Sequence, residues 1–308
     1  HNNLGNSLKR LGRFEEAESS YKEAIALKPS FFGAHNNLGI TLQNQGRLDE
    51  ARSSYMQAVA LKPDFAEAHY NLGVTLQNLD RVDEAVESYL RAIEKKPEYA
   101  EAHYNLGITF KSMGRLDDSE ASYRRAIESR PKYAEAHCNL GVTLRDLGRH
   151  DEAEASYKIA LELKPDYAEA HYNLGVLLQE LGRFRDAEVS YSQTIASNPH
   201  HAEAHRMVST LKTFPAKDDQ FLQMLDLYRD QNLSAEDRCS LCFALAKASE
   251  DIRDFAAAFR YYSEGNGLRR TQLRYDQSRD ADFFRRLKLH SAALAEYSLQ
   301  PENVTSAV

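Results

Sequence analysis

Apolar positions along residues 66–99 fall into two stripes. Ala68, Leu72, Leu76 and Leu79 recur at steps of three or four, and Val82, Ala85, Tyr89, Ala92 and Ile93 do the same. This spacing predicts two amphipathic helices joined by a tight turn at Asp80 and Arg81. Neither helix can bury its stripe alone. The run A-E-A-H-Y-N-L-G stands at 66–73, 100–107 and 168–175, with A-E-A-H-C-N-L-G at 134–141, so the period is 34 residues. A fixed period of this size predicts a stacked array in which each helix pair buries its apolar face against its neighbours.

Counted from Ala66, a unit carries His69 at position four, Leu72 and Gly73 at seven and eight, and Leu76 at eleven. Ala85 stands at twenty, Tyr89 at twenty-four, Ala92 at twenty-seven and Pro97 at thirty-two. Small residues at Gly73 and Ala85 let the helices approach, and Tyr89 fills the space between them. The turn is held by Gly12, Gly46, Gly114, Gly148 and Gly182 in the other units, as a left-handed helix terminus prefers. A proline then ends each unit, since it cannot continue a helix but can open the next. Six of the eight prolines lie on this frame, which fixes the register. The predicted units are 1–31, partial, then 32–65, 66–99, 100–133, 134–167 and 168–201. Ser119 at position twenty and Thr194 at twenty-seven are small enough to keep the packing.

The pattern restarts at 202 with His205 and then fails, because Ser209 replaces the glycine and Phe214-Pro215 breaks the helix. Residues 202–237 therefore read as a broken repeat with linking helices, one over roughly 218–229, and Ser234 as an N-cap. A degenerate unit follows at 239–272, with Leu245-Ala246 at seven and eight, Ala258 at twenty and Tyr262 at twenty-four. A last amphipathic stretch at about 277–297 carries Phe283, Phe284, Leu287 and Leu289, so the region 238–300 is expected to close the array, with 301–308 as a tail.

The unit resembles the tetratricopeptide repeat. The resemblance implies an all-α, right-handed superhelix, an α-solenoid, ending in an irregular helical cap. In that family the first helix of each repeat faces an inner groove that binds proteins or peptides. A protein or an extended peptide is thus the expected partner.

Composition narrows the function further. The net charge of −7 is spread over both signs along the chain, which does not suit phosphate tracking, so nucleic acid is not the expected partner. No run of about 18 apolar residues suggests a membrane span. No leader is evident, although the chain begins in mid-repeat. Three cysteines, Cys138, Cys239 and Cys242, do not make a disulfide framework and suit a reducing, cytoplasmic setting.

Three sets of residues invite chemistry. His1, His35, His69, His103, His137, His171 and His205 form a ladder, but one per repeat places them on helix axes about 8–10 Å apart or more, too far to share a zinc ion. They read as half-buried histidines where the repeat family usually has Trp. His200, His201 and His205 lack a carboxylate or thiolate to complete a metal site. Cys239-x-x-Cys242 lies within a helix and has no second pair, so it reads as packing.

The third set is Asn3, Asn37, Asn71, Asn105, Asn139 and Asn173 at position six. An amide offers donors and an acceptor without charge, and a row of them can bond the backbone of an extended peptide whatever its side chains. The row is similar to the asparagine ladder of the O-GlcNAc transferase repeat domain, whose asparagines hold substrate peptide backbone. Tyr70, Tyr104 and Tyr172 at position five and Gln43, Gln77 and Gln179 at twelve suit the same groove. Peptide binding predicts amides free of protein partners and open to solvent. The alternative is that each Asn bonds only within its own repeat. A clamp for chaperone tails, which needs Lys at five and Asn at nine, is not matched by Asn36 or Tyr70 and Ile40 or Val74. Lys111 reads as an exposed position.

The runs F-A-L-A-K-A-S-E-D-I at 243–252, D-F-A-A-A-F at 254–259, E-G-N-G-L-R-R at 264–270 and L-R-Y-D at 273–276 resemble the segment that joins repeats to the catalytic domain in bacterial repeat-containing sulfotransferases. That resemblance implies a downstream sulfotransferase domain in cis, opening with a P-R-S-G-T-type loop for the phosphosulfate donor. The 308 residues contain no such loop, so this chain is expected to have no cofactor and no catalytic residues of its own. The basic residues between Arg269 and Lys288 alternate with Asp276, Asp280 and Asp282 and read as a solvated helix face. A pure structural spacer is the third reading of the chain.

Overall fold

The computed structural model describes residues 1–273 together with Arg285 and Lys288, and these contain sixteen α-helices and no strand. The amphipathic stretch at about 277–297 and most of the basic segment at 269–290 lie outside the described residues. The chain divides into a unit from His1 to Pro199 and a second from His200 onward.

The first unit is built from six helix pairs: α1 (Asn2–Arg10) with α2 (Phe14–Leu27), α3 (Phe32–Asn44) with α4 (Leu48–Leu61), and α5 (Ala66–Asn78) with α6 (Val82–Lys95). They continue with α7 (Ala100–Ser112) and α8 (Leu116–Ser129), α9 (Ala134–Asp146) and α10 (His150–Leu163), and α11 (Ala168–Glu180) and α12 (Phe184–Ser197). Each helix packs on its partner and on the next in the chain, and successive odd-numbered helices also touch one another. This is an α-solenoid, with the first helices of the repeats forming one continuous layer.

Each pair turns at one residue with positive φ, between 73° and 76° at the five turn glycines and 59° at Asp80, where an Asp tolerates the left-handed conformation. The core between the helices is a glycine set against a tyrosine. Tyr21, Tyr55, Tyr89, Tyr123, Tyr157 and Tyr191 are at most 1% exposed. A methyl group added at Gly107 would come within 2.7 Å of the Tyr123 ring, and the same holds to within 0.1 Å at Gly5, Gly39, Gly73, Gly141 and Gly175 against their own tyrosines. The ring fills the volume the missing Cβ leaves, so the two residue types are required together.

The second unit contains α13 (Ala202–Leu211), α14 (Asp219–Tyr228), α15 (Ala235–Asp251) and α16 (Phe255–Gln272). Its core joins Phe214, Phe221, Met224, Leu241 and Leu245. Ser234 caps α15 by accepting the Asp237 N–H at 3.0 Å, which satisfies one of the orphan donors of the first turn. The turn between α15 and α16 has Arg253 at φ 64°, and Tyr262 donates from its hydroxyl to Glu250 at 3.0 Å, twelve residues earlier. Tyr55 to Gln43, Tyr89 to Gln77 and Tyr191 to Gln179 show the same twelve-residue bond in the first unit, at 2.8–3.0 Å.

Candidate functional site

The position-six asparagines lie on the layer of odd helices; Asn3 is exposed, and Asn37, Asn71, Asn105, Asn139 and Asn173 are half-buried. Their amides are not free. Asn37 Nδ2 donates to Asn2 Oδ1 at 3.2 Å and Asn71 Nδ2 to Asn36 Oδ1 at 3.1 Å. Asn105 donates to the Tyr70 hydroxyl at 3.1 Å, Asn139 to the Tyr104 hydroxyl at 2.9 Å, and Asn173 to Cys138 Sγ at 3.7 Å. Every bond spans 35 residues, from position six of one repeat to position five of the repeat before. Both expectations from sequence fail on this point: the amides have protein partners, and those partners are outside their own repeat. Only the nitrogen end is used, because no described hydrogen bond reaches the Oδ1 of any of these five residues.

The tyrosines at position five are packed rather than free-standing. Tyr70 sits 5.0 Å from the Tyr99 ring and 6.1 Å from Tyr89, while Tyr104 lies 4.9 Å from Tyr133 and 5.9 Å from Tyr123. Tyr172 lies 5.7 Å from Tyr191. Burial pushes the Tyr104 hydroxyl up to about 12, so it stays protonated and can both accept from Asn139 and donate outward. Behind the outer rings stand cations: Lys96 is 4.3 Å from the centre of Tyr99 and Arg130 4.7 Å from Tyr133.

Gln77 is partly diverted to the core, since its Oε1 accepts the Tyr89 hydroxyl at 2.8 Å. Lys111 and Arg145 occupy the same position in the next two repeats and offer no acceptor. The Tyr157 hydroxyl is then left buried with no hydrogen-bond partner among the described residues. Lys111 is half-buried rather than exposed and pairs with Asp146 at 3.1 Å, and Arg145 reaches the same carboxylate at 3.2 Å. A cleft of about 440 Å³ opens here, with Asn139, Asn173, Tyr123, Ile108, Lys111 and Glu169 among its walls.

The histidines at position four also act between repeats. Nε2 of His35, His69, His103, His137 and His171 lies 2.9–3.1 Å from the carbonyl oxygen of Pro29, Pro63, Pro97, Pro131 and Pro165. A carbonyl only accepts, so Nε2 carries the proton. Burial pushes the pKa of His103 and His137 below the ordinary histidine value and keeps these rings neutral. Among the described residues no group of three or more His, Cys, Asp or Glu is placed to hold a metal ion. His201 Nδ1 accepts the Ala204 N–H at 3.2 Å and caps α13. Cys239 and Cys242 are buried, and burial raises both thiols, Cys242 to about 12. No helix among the described residues is long and apolar enough to cross a membrane.

Sequence comparison agrees with this geometry. Tetratricopeptide-repeat families match residues 37–100, 70–110 and 104–168, then 144–211 and 5–46, and the chain belongs to the tetratricopeptide-repeat family. Among solved structures it is similar to MamA, at 30% identity and a TM-score of 0.51 over 54% of this chain and 97% of that one. YrrB, described as a TPR protein with an unusual peptide-binding site, shares the fold at 24% identity and TM-score 0.52, over 60% of this chain and 95% of that one. PilF of Pseudomonas aeruginosa shares it at 18% identity and TM-score 0.55, over 73% and 96%. No curated protein matches the chain.

Proposed function

We propose that this chain is a scaffold that binds an extended peptide along the layer of odd helices, with the asparagine row as its backbone-reading element. Asn37, Asn71, Asn105, Asn139 and Asn173 each use their nitrogen to hold the preceding repeat, which orients the carbonyl oxygen. The observation that carries the reading is that these five oxygens are left without a partner by the described bonds, one per repeat. A row of fixed acceptors matches the N–H groups of an extended strand and is indifferent to its side chains. Tyr70, Tyr104, Tyr172 and Gln77 contribute by packing and positioning, and the cleft at Asn139 and Asn173 is the expected centre of contact.

The test is titration calorimetry with a peptide selected from a display library on the whole chain. The Asn105→Ala, Asn139→Ala double variant is expected to weaken binding by about 0.5–1.5 kcal/mol per amide, the usual net worth of a neutral hydrogen bond. Backbone N-methylation of the peptide should lower affinity similarly, with little dependence on salt. Unchanged binding in both experiments would overturn the reading.

A second reading makes the array the substrate-targeting arm of a sulfotransferase whose catalytic domain lies beyond residue 308. It rests on the runs within 243–276, which fall largely on α15 and α16. The downstream gene sequence tests it, through a strand and a P-R-S-G-T-type loop within about the next 20 residues. A cytoplasmic setting is part of the proposal, supported by three buried, unpaired thiols.

A further inference from the structure

A second ladder runs through the even helices. Arg47 donates from Nη1 to Glu18 of the preceding repeat at 2.6 Å, Arg149 to Glu120 at 2.6 Å and Arg183 to Glu154 at 2.7 Å, each spanning 29 residues. In all three the arginine also holds an acidic residue of its own helix through its other nitrogens, as Arg47 holds Glu50.

At the junction of repeats 32–65 and 66–99 this ladder is broken. Arg81 keeps its own partner, Glu84, at 2.6 Å from Nε and 2.7 Å from Nη2. The residue that should supply the carboxylate from the preceding repeat is Arg52. Arg81 Nη1 therefore has no partner among the described bonds, and Arg52 Nε is buried with none. The nearest acid to Arg52 is Asp49 at 3.9 Å, a loose contact. Both guanidinium groups line a cleft of about 320 Å³ whose other walls include Met56, Leu72 and Leu76. Met56 is 51% exposed, so the apolar wall reaches solvent.

We propose that this cleft is a docking site for a partner protein segment that presents a glutamate flanked by apolar residues. The partner's carboxylate takes the place held by Glu18, Glu120 and Glu154 at the intact junctions, on Arg81 Nη1 and Arg52, and its apolar neighbours cover Met56 and Leu72. Charge-assisted bonds to guanidinium are directional and outlast solvent competition better than neutral ones. Glu84 and Glu87 also line the cleft, so recognition depends on the directed N–H groups rather than on a positive field. The asparagine row does not line this cleft, and the proposal is independent of it.

The probe is the peptide Ac-Ala-Leu-Glu-Leu-Ala-amide, followed through the arginine Nε–Hε signals of the whole chain by NMR, with its Gln analogue as control. The expected result is a saturable shift of the Arg52 and Arg81 signals, with the Gln peptide roughly tenfold weaker or worse. Arg52→Glu should abolish the shift and, by restoring the ladder, raise Tm by roughly 1–3 °C. Arg52→Gln should abolish binding without that rise. Equal shifts at Arg47 and Arg149, equal binding of the Gln peptide, or wild-type binding by Arg52→Glu would each overturn the proposal. Self-association lost in Arg52→Glu, without peptide binding, would overturn it in favour of a second copy of the chain.

Discussion

Within the regular array every position-eight glycine faces a position-twenty-four tyrosine, whereas in the broken repeat that starts at 202 the equivalent residue is Ser209, whose hydroxyl lies 3.6 Å from the Met224 sulfur. The serine hydroxyl meanwhile bonds the His205 carbonyl at 2.8 Å. A fully buried ring pressed on the facing helix leaves no room for a Cβ, while a flexible thioether packs around one. The pair, rather than either residue, sets the helix spacing. Once the ring is gone, glycine is no longer required and the register loosens, as the interruption between α13 and α14 illustrates.

The comparison can be broken most severely by removing a ring. Tyr123→Ala is expected to cost about 3–5 kcal/mol, since a fully buried aromatic leaves a cavity against helix backbone; urea denaturation measures it. Gly107→Ala comes next, at about 1–3 kcal/mol, because the added methyl meets the Tyr123 ring rather than space. Adding Tyr123→Met to Gly107→Ala should destabilise by less than the sum of the two single changes, since a flexible thioether can pack around the added methyl. Full additivity would show that ring and glycine are independent.

A finer contrast lies inside the array. Tyr89 donates to Gln77, while Tyr157 has no hydrogen-bond partner among the described residues, since Arg145 stands where the glutamine would be. Tyr89→Phe should therefore cost about 0.5–1.5 kcal/mol, and Tyr157→Phe should be neutral or slightly stabilising. Equal losses in thermal melts would mean that the Tyr157 hydroxyl is satisfied in solution.

Lys111 and Arg145 stand where a glutamine would accept a core hydrogen bond and are instead gathered on Asp146, and Lys111 shares the cleft with Asn139 and Asn173. Local rules are broken most often where a surface has something to bind. This agrees with the cleft there being the centre of peptide contact, and sharpens where the asparagine variants should act.

The helix pairs, their turns and the tyrosine core were legible in the chain because they depend on spacings of three, four and twelve residues within one unit. Gly46, Asp80 and Pro97 announce their roles through backbone chemistry that no neighbour can change. The partners of Asn71, Asn105 and Arg47 were not legible. These bonds join residues 29 or 35 apart, and whether position six meets position five of the previous repeat depends on the angle at which one helix pair stacks on the next. Periodicity states that the repeats are equivalent and leaves that angle open. It is settled by how the side chains at each junction interlock, so the direction of the asparagine amides and the break at Arg52 emerge only when the repeats are stacked.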